Sequence, residues 1–475
     1  MPLVVGLVLA AAIALLPSPL HRIEGFGDRP ALAAAVSFLM AVWWFTDALP
    51  MGWTACLPLL LFPFLNVFGA PLPQSVVRSA APYLDAYIFM FFGGMVVGTA
   101  MEQWGLHRRI ALHIMRAVGT TPRRLLFGVL VSTAAISMWI SNTATAVMML
   151  PIGMALIAQL EHAEGGTRLP NFGAAVMLSI AFGANLGGIG TKIGSPTNSV
   201  FLGFLSQELG MEISFLRYAA LSMPFVALML PVAWWVLWQL GKRDRLAHPQ
   251  GREVLDRELT EMGPLAGRER QVAVVFAATA LAWILADPLR GATSQSLSSL
   301  LGFKLAGKHY EAGIALLAAL VIALLGAVNL KAIRRLPWGT LLLMGGSFAM
   351  AEGISGSGLA EWMALQLASL SQLSQFAQIG LAAAASVGLS AVASNTATIN
   401  VMLNVLPRSL PVLFGSTIAA SCDFALPAGT PPNAIVFGSG YIRLRTMMKI
   451  GGLMDLIAVV VITLYIAWVI APFLG

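Results

Sequence analysis

The sequence predicts an all-α integral membrane protein with an inverted-topology repeat. Of its 475 residues, 58% are hydrophobic and only 10% are charged, which is more apolar surface than one soluble core of this chain could bury. Its apolar stretches are continuous and several approach the roughly 20 residues of a spanning helix, so helices are favoured over barrel strands. The pentapeptide Ser-Asn-Thr-Ala-Thr occurs at residues 141–145 and again at 394–398, which divides the chain into two related halves.

Four apolar stretches come before an arginine-rich segment at residues 102–124. They lie near residues 2–20, 31–49, 53–69 and 85–101. The first has no basic leader and no Ala-x-Ala site followed by a soluble domain, so we expect a span rather than a cleaved signal peptide. Because basic loops stay in the cytoplasm, the arginine-rich segment is predicted there, and four crossings before it also place the N-terminus inside.

The first repeat is predicted at residues 85–240. Its polar pentapeptide interrupts the apolar stretch 125–160, which we expect to form a re-entrant hairpin entering from the cytoplasm. Residues 172–205 are predicted to be one span that is unwound in its middle, since glycines and Pro196 interrupt it. The following residues 241–270 contain seven Lys and Arg against six Asp and Glu and are predicted to be a cytoplasmic linker.

The second half follows the same order with the opposite orientation. Residues 271–336 are predicted to contribute helices, with a loop from about 287 to 310. The second repeat, 337–440, would contain a hairpin at 379–410 and an unwound helix at 414–438, before a C-terminal helix in 441–475. Residues 353–378 correspond to the arginine-rich segment but contain no Lys or Arg. Equivalent segments therefore face opposite sides, which gives about 11 transmembrane helices, two hairpins and a C-terminus outside the cell.

Hydroxyl and amide side chains at membrane depth require a partner inside the protein or in a water-filled cavity. One isolated Ser, Thr or Asn is usually interhelical glue, but here the triplet occurs twice, each time before a segment broken by Gly, Pro and Asn. Inverted repeats with interrupted helices are typical of secondary transporters whose site lies near the bilayer midplane. The sequence therefore predicts a transport site where the two hairpin tips and the two unwound helices meet.

The same motifs resemble those of a known family. Two Ser-Asn-Thr triplets, Gly-Ser-Pro-Thr-Asn at 194–198 and Gly-Thr-Pro-Pro-Asn-Ala-Ile at 429–435 resemble the divalent anion/sodium symporter family of di- and tricarboxylate and sulfate carriers, over roughly residues 85–440. The resemblance implies a homodimer whose protomers have a scaffold domain, including residues 1–84 and 271–336, and a transport domain that moves like an elevator. It also implies co-transport of sodium with a divalent anion, commonly a C4 dicarboxylate such as succinate or malate.

Carried over to this sequence, the resemblance implies two sodium sites and one substrate site. The first sodium site would use Ser137, Ser141, Asn142 and Gly194. The second would use Ser390, Ala393, Asn395 and Gly429. The substrate would contact Asn142, Thr143, Ser195, Asn395, Thr396 and Pro431. Hard oxygen ligands suit sodium, and a neighbouring cation would help to neutralise a dianion because the triplets contain no Lys or Arg.

Two charged residues depart from the family pattern. Lys192 lies two positions before Gly194, and Asp423 lies upstream of Gly429. Charges inside a membrane are costly and are usually paired or functional. Lys192 and Asp423 are therefore expected either to pair or to reach a water-filled cavity, or else the Lys192 ammonium replaces the first sodium ion. The last hypothesis would make the protein a sodium-independent or proton-coupled carrier, or an anion exchanger.

Other classes of function fit the sequence less well. For an intramembrane enzyme, Lys192 with Ser195 is the nearest candidate, but the lysine has no counterpart in the other repeat. A passive channel is the third option, which saturable, gradient-driven accumulation would exclude. The two cysteines cannot form a disulfide framework and the six histidines lack metal-ligand spacing, so sodium is the only ligand expected besides the anion. We attribute the net charge of +7 to loops that orient the protein in the lipid bilayer, rather than to nucleic-acid binding. The protein is expected in the inner (cell) membrane.

Overall fold

The computed structural model describes residues 1–21, 23, 25–244, 251–301, 306–366 and 372–474. Every long regular element in these ranges is a helix, so the prediction of an all-helical chain is confirmed. Part of the predicted linker, residues 245–250, and part of the lysine-free segment, residues 367–371, lie outside the described residues.

Twelve α-helices precede the linker. In chain order they are α1 Pro2–Leu15, α2 Arg29–Phe45, α3 Met51–Thr54, α4 Leu57–Phe64, α5 Leu72–Ala80, α6 Ala86–Gln103, α7 Leu106–Val118, α8 Pro122–Ser137, α9 Asn142–Ala163, α10 Pro170–Ile189, α11 Pro196–Glu208 and α12 Phe215–Gly241. The corner between α6 and α7 is formed by Gly105, whose φ of 72° is accessible to glycine at little cost. Helices α8, α10 and α11 begin with proline, which lacks only an N–H that the first turn leaves unbonded.

The helices from the linker onward form the second half. They are α13 Gly251–Met262, α14 Gly267–Ile284, α15 Ala286–Leu301, α16 Gly307–Leu324, α17 Leu330–Arg334, α18 Trp338–Gly356, α19 Leu359–Gln366, α20 Gln375–Ser390, α21 Asn395–Val405, α22 Leu410–Ala420, α23 Pro431–Phe437, α24 Leu444–Tyr465 and α25 Ala471–Leu474. The predicted loop from about 287 to 310 is wrong, because α15 occupies most of it. Its polar residues suggested a loop, but Pro288 lies in the first turn, where proline is compatible with a helix.

Six helical segments of the described chain are long and apolar enough to cross a membrane. They are Leu72–Gln103, Asn142–Ala163, Pro170–Ile189, Phe215–Asp244, Gly307–Leu324 and Leu444–Ile470. The pair α14 and α15, bent by 75°, would make a seventh, and four shorter apolar helices accompany them. The number of about eleven spans therefore stays a prediction. So does the first re-entrant hairpin, since α9 with 22 residues is long enough to cross alone.

Helix α10 forms the centre of the first half. It is completely buried along its spanning length and packs against α8, α9 and α12. Close approach to α8 depends on glycine, since a Cβ on Gly187 would lie 2.2 Å from the Ala134 carbonyl oxygen and one on Gly183 would lie 2.6 Å from that of Leu130. Small residues at such crossings are the usual means by which membrane helices come close, and they fix α10 beside α8.

Helix α7 carries three of the five arginines of the basic segment, and these three bind the linker. Arg109 donates to both carboxylate oxygens of Glu269, at 2.6 and 2.8 Å, and to the Gly263 carbonyl at 2.8 Å. Arg108 pairs with Glu258 and Arg116 with Asp256. The predicted linker therefore contains a helix, α13, and is attached to α7 by ion pairs.

A buried histidine on α7 predicts a pH-dependent stability. One ring nitrogen of His107 donates to the Met101 carbonyl at 2.9 Å, and burial, with a smaller effect of Arg108, lowers the pKa of this imidazole. The unfolded chain therefore binds a proton before the folded one does, and stability should fall as the pH drops below about 6.5, the ordinary value. Melting temperatures between pH 8 and 5.5 should decrease more for the wild type than for His107→Gln. Equal decreases would contradict this role.

Candidate functional site

Each half contains one helix that is broken in the middle. The first break, residues 190–195, separates α10 from α11, and the second, residues 421–430, separates α22 from α23. An asparagine just inside the following helix satisfies the carbonyls that each break leaves free. The Asn198 amide donates to Gly188 O and Thr191 O, both at 2.7 Å. Asn433 in the other half donates to Asp423 O at 3.2 Å and Leu426 O at 3.0 Å. The acceptors lie ten and seven residues upstream in both cases, so the two breaks are built alike.

A serine and an asparagine next to each break also form the same contacts in both halves. Ser137 Oγ, at the end of α8, lies 2.7 Å from Asn142 Oδ1 and 2.8 Å from the Ala184 carbonyl oxygen, and its one proton can be donated to either. Ser390 Oγ, at the end of α20, lies 2.9 Å from Asn395 Oδ1 and 2.7 Å from the Ala420 carbonyl oxygen, again with one proton for either acceptor. These contacts, which we call the Ser-Asn pairs, join each predicted hairpin tip to the broken helix beside it.

The Asn142 amide is surrounded by oxygen atoms. With its nitrogen turned toward them, it donates to Ser137 Oγ at 2.7 Å, Ala184 O at 3.2 Å and Gly194 O at 3.3 Å. With its oxygen in that place, the cluster holds two carbonyl oxygens, an amide oxygen and a hydroxyl, and only the hydroxyl can donate. Such a group of hard oxygens is what an alkali cation requires. The residues present therefore fit a small cation.

The helix that follows each hairpin tip begins with a capped N-terminus. Ser141 caps α9 by accepting from Ala144 N at 3.2 Å, and Ser394 caps α21 by accepting from Ala397 N at 3.2 Å. Free N–H groups and the helix dipole make such ends favourable for anions. The pairing of elements is crossed, since α9 packs against α23 and α11 packs against α21. Each hairpin helix thus lies beside the broken helix of the other half.

Direct hydrogen bonds also join the two breaks. The Asn185 amide on α10 donates to Asp423 O and to Thr430 Oγ1, both at 3.2 Å, and the hydroxyls of Thr197 and Ser421 lie 3.1 Å apart. Asn185 and Thr197 were not among the residues predicted from the sequence. Asn185 precedes the glycines that mark the break, which is the only sequence signal it carries.

The predicted site residues differ in exposure. Ser137, Gly194, Ser195, Ser390, Ala393 and Gly429 are buried; Asn142, Asn395 and Thr396 are partly buried; Ser141, Thr143 and Pro431 are exposed. The buried set consists of five of the eight residues predicted to bind sodium together with Ser195, and the exposed set contains Ser141 and two of the residues predicted to bind the substrate. The sequence did not predict Thr145 and Thr398, whose hydroxyls occupy equivalent positions and are buried without a hydrogen-bond partner among the described residues.

Comparison with known proteins identifies the family. The sequence profile of the sodium:sulfate symporter transmembrane region matches residues 1–474. The chain belongs to the divalent anion/sodium symporter family. It is 32% identical to the sodium-dependent dicarboxylate transporters SdcS of Staphylococcus saprophyticus and of Staphylococcus aureus strain USA300, over 99% of this chain and 92% of each relative. Membership identifies a multi-pass membrane transporter, so an enzyme based on Lys192 and Ser195 is set aside.

A solved structure shows the same fold. The YdaH transporter of Alcanivorax borkumensis superposes with a TM-score of 0.58 and 16% sequence identity, covering 91% of this chain and 98% of that one. At this identity the likeness concerns the helical architecture alone.

Lys192, one of the two charged residues that depart from the family motifs, is paired with a carboxylate. The Lys192 ammonium lies 2.6 Å from Glu311 Oε2 on α16, with 1% and 2% of the two side chains exposed. The expected pairing of Lys192 with Asp423 is therefore wrong. The sequence could not supply this partner, since Glu311 is 119 residues away and looked like the edge of a span. Glu311 Oε1 also accepts from Phe215 N at 2.6 Å, which fixes the carboxylate between α12 and the first break.

Proposed function

We propose that the protein is a secondary active transporter that couples sodium to the movement of a divalent anion across the cell membrane. A C4 dicarboxylate such as succinate or malate is the proposed substrate. The two SdcS relatives are named sodium-dependent dicarboxylate transporters and are 32% identical to nearly the whole chain. The observation that carries the proposal is the duplicated Ser-Asn pair, because each pair gathers hard oxygens beside a helix N-terminus.

In this proposal the sodium ions are bound deeper in the protein than the substrate. Ser137, Ser141, Asn142 and Gly194 would hold one ion, and Ser390, Ala393, Asn395 and Gly429 the other. The more exposed Thr143, Thr396 and Pro431, together with Ser195 and the two asparagines, would contact the carboxylates. The bound cations then offset the dianion's charge, which explains how an anion can bind where the triplets offer only neutral donors.

The Lys192 ammonium is bonded to Glu311, and among the described residues it makes no hydrogen bond to Ser137, Asn142 or Gly194. This supports sodium, rather than the lysine, as the cation of the first site. A sodium-independent or proton-coupled exchanger and a sulfate or tricarboxylate carrier are the alternatives. We also propose the elevator movement, the homodimer, a cytoplasmic N-terminus and an external C-terminus, which rest on the family resemblance and the charge distribution.

Uptake measurements test this function. Proteoliposomes of the purified protein should accumulate labelled succinate under an inward sodium gradient, and uptake should fall to the level of protein-free vesicles when choline replaces sodium. Unlabelled malate should compete more strongly than citrate or sulfate. Undiminished uptake in choline would remove sodium coupling. Stimulation by succinate loaded inside the vesicles, without any cation gradient, would instead support the exchanger.

A further inference from the structure

The sequences of the two breaks can be aligned residue by residue on Asn198 and Asn433. Counting back from Asn198 and Asn433, which bond to carbonyls at identical separations, Gly194 corresponds to Gly429 and Gly188 corresponds to Asp423. The repeat therefore has a glycine at this position in one half and a carboxylate in the other.

In the first half, this position faces the Ser-Asn pair. A Cβ on Gly188 would lie 2.4 Å from Asn142 Oδ1, so that any side chain here would point at the oxygens proposed to bind sodium. The backbone of Gly188 also borders Gly194, since a Cβ on Gly194 would lie 2.6 Å from Gly188 O. The equivalent residue of the second half, Asp423, does have a side chain, and it likewise precedes the glycine of its break, Gly429, by six residues.

The Asp423 carboxylate is buried against Gly429. The residue is 0% exposed, and a Cβ on Gly429 would lie 1.5 Å from Asp423 Oδ2, so the carboxylate occupies the space that the glycine leaves open. Neither carboxylate oxygen has a hydrogen-bond partner among the described residues within 3.5 Å, although the backbone N–H of Ala425 interacts with the carboxylate electrostatically. A fully buried carboxylate without a partner is strongly unfavourable in its charged form, unless a cation joins it; otherwise it takes up a proton.

The protein itself supplies no such cation in the described part of the chain. Helix α10 presents the uncharged Asn185, which binds the Asp423 carbonyl rather than its carboxylate. Helix α24 contributes Asp455, a second carboxylate, which accepts from Phe424 N at 2.8 Å. The neighbouring Cys422 is a buried thiol. No lysine, arginine or histidine of the described residues forms an ion pair with Asp423, so a cation there must come from solution.

We propose that Asp423 supplies the negative charge of the second sodium site. This inference rests on the proposed sodium coupling, and it gives the two sodium sites different charges. The second site binds its ion against a full negative charge, whereas the first, with Gly188 at the equivalent position, offers only neutral oxygens. The second site should therefore have the higher sodium affinity and fill before the first.

Sodium titration of the purified protein tests the assignment. Melting temperatures are measured as sodium replaces choline at constant ionic strength, for the wild type, Asp423→Asn and Asp423→Glu. The sodium concentration at half-maximal stabilisation should rise by about 10-fold or more in Asp423→Asn, since a charge at contact distance is lost from a site of low polarity. Asp423→Glu should keep it within about 3-fold because the charge is retained. Equilibrium binding of radioactive sodium at the wild-type midpoint should decrease in parallel.

Control variants distinguish a failure of the proposed sodium coupling from a failure of the role proposed for Asp423. Asp28→Asn removes a carboxylate that is 74% exposed and should leave the sodium midpoint unchanged. If sodium does not stabilise the wild type, the proposed function fails. If sodium stabilises the wild type and Asp423→Asn at the same concentration, only the role of Asp423 is overturned. Asp423→Gly, which copies the first half, provides the same measurement should the Asn variant fold poorly.

Discussion

Replacing Glu311 by Gln should be among the most damaging single substitutions in this protein. The Lys192 ammonium would remain buried, with 1% of its side chain exposed, and would lose the only carboxylate that pairs with it among the described residues. Removing one partner of a buried ion pair typically costs about 3–5 kcal/mol of folding free energy. We expect a correspondingly large fall in melting temperature of the detergent-solubilised protein, with succinate and sodium both absent.

A double variant distinguishes the loss of charge balance from a loss of packing. Lys192→Met combined with Glu311→Gln removes both charges and should recover most of the stability that Glu311→Gln loses, because a neutral pair leaves no charge uncompensated. The matched control is Glu261→Gln, which breaks the exposed pair with Arg257 on α13 and should cost less than about 0.5 kcal/mol. A double variant as unstable as the single one would contradict the proposed importance of the charge.

Gly188→Ala should abolish sodium-driven succinate uptake while leaving a folded protein. The added methyl group would lie 2.4 Å from the Asn142 amide oxygen, far inside contact distance, so the amide must leave its place beside Ser137. Displacing one ligand of a compact oxygen cluster by about 1 Å is enough to reduce activity by about 100-fold. Uptake and the sodium dependence of the melting temperature should both report this loss.

Gly388→Ala is the matched control for this substitution. Gly388 lies on α20 and a Cβ there would have no atom within 4 Å, so the change should keep uptake and stabilise the helix by up to about 1 kcal/mol. Normal sodium stabilisation of Gly188→Ala would show that the Asn142 amide does not contribute to the cation site.

The sequence predicted the repeated motifs and the features that depend on residues close together in the chain. Duplicated motifs such as 141–145 and 394–398 indicated two equivalent hairpins and two broken helices, because serine caps, glycines and prolines act within a few residues of themselves. Contacts between segments that are far apart in the sequence could not be predicted from these local motifs. The pairing of Lys192 with Glu311 depends on how α16 lies beside the first break, and α13 and α15 arise in polar stretches whose composition also suits loops.

Ala184 and Asn185 share one peptide unit, yet they serve different sites. The Ala184 carbonyl accepts the Ser137 hydroxyl of the first Ser-Asn pair, and the Asn185 side chain bonds to Asp423 O and Thr430 Oγ1 in the second break. If each break binds an ion as proposed, we expect a shift of this peptide at one site to reach the other through these hydrogen bonds. Such a shared element would give thermodynamic linkage, in which occupancy of either site changes the affinity of its counterpart by the same factor. A variant that disrupts one site should then also shift the sodium affinity of the other.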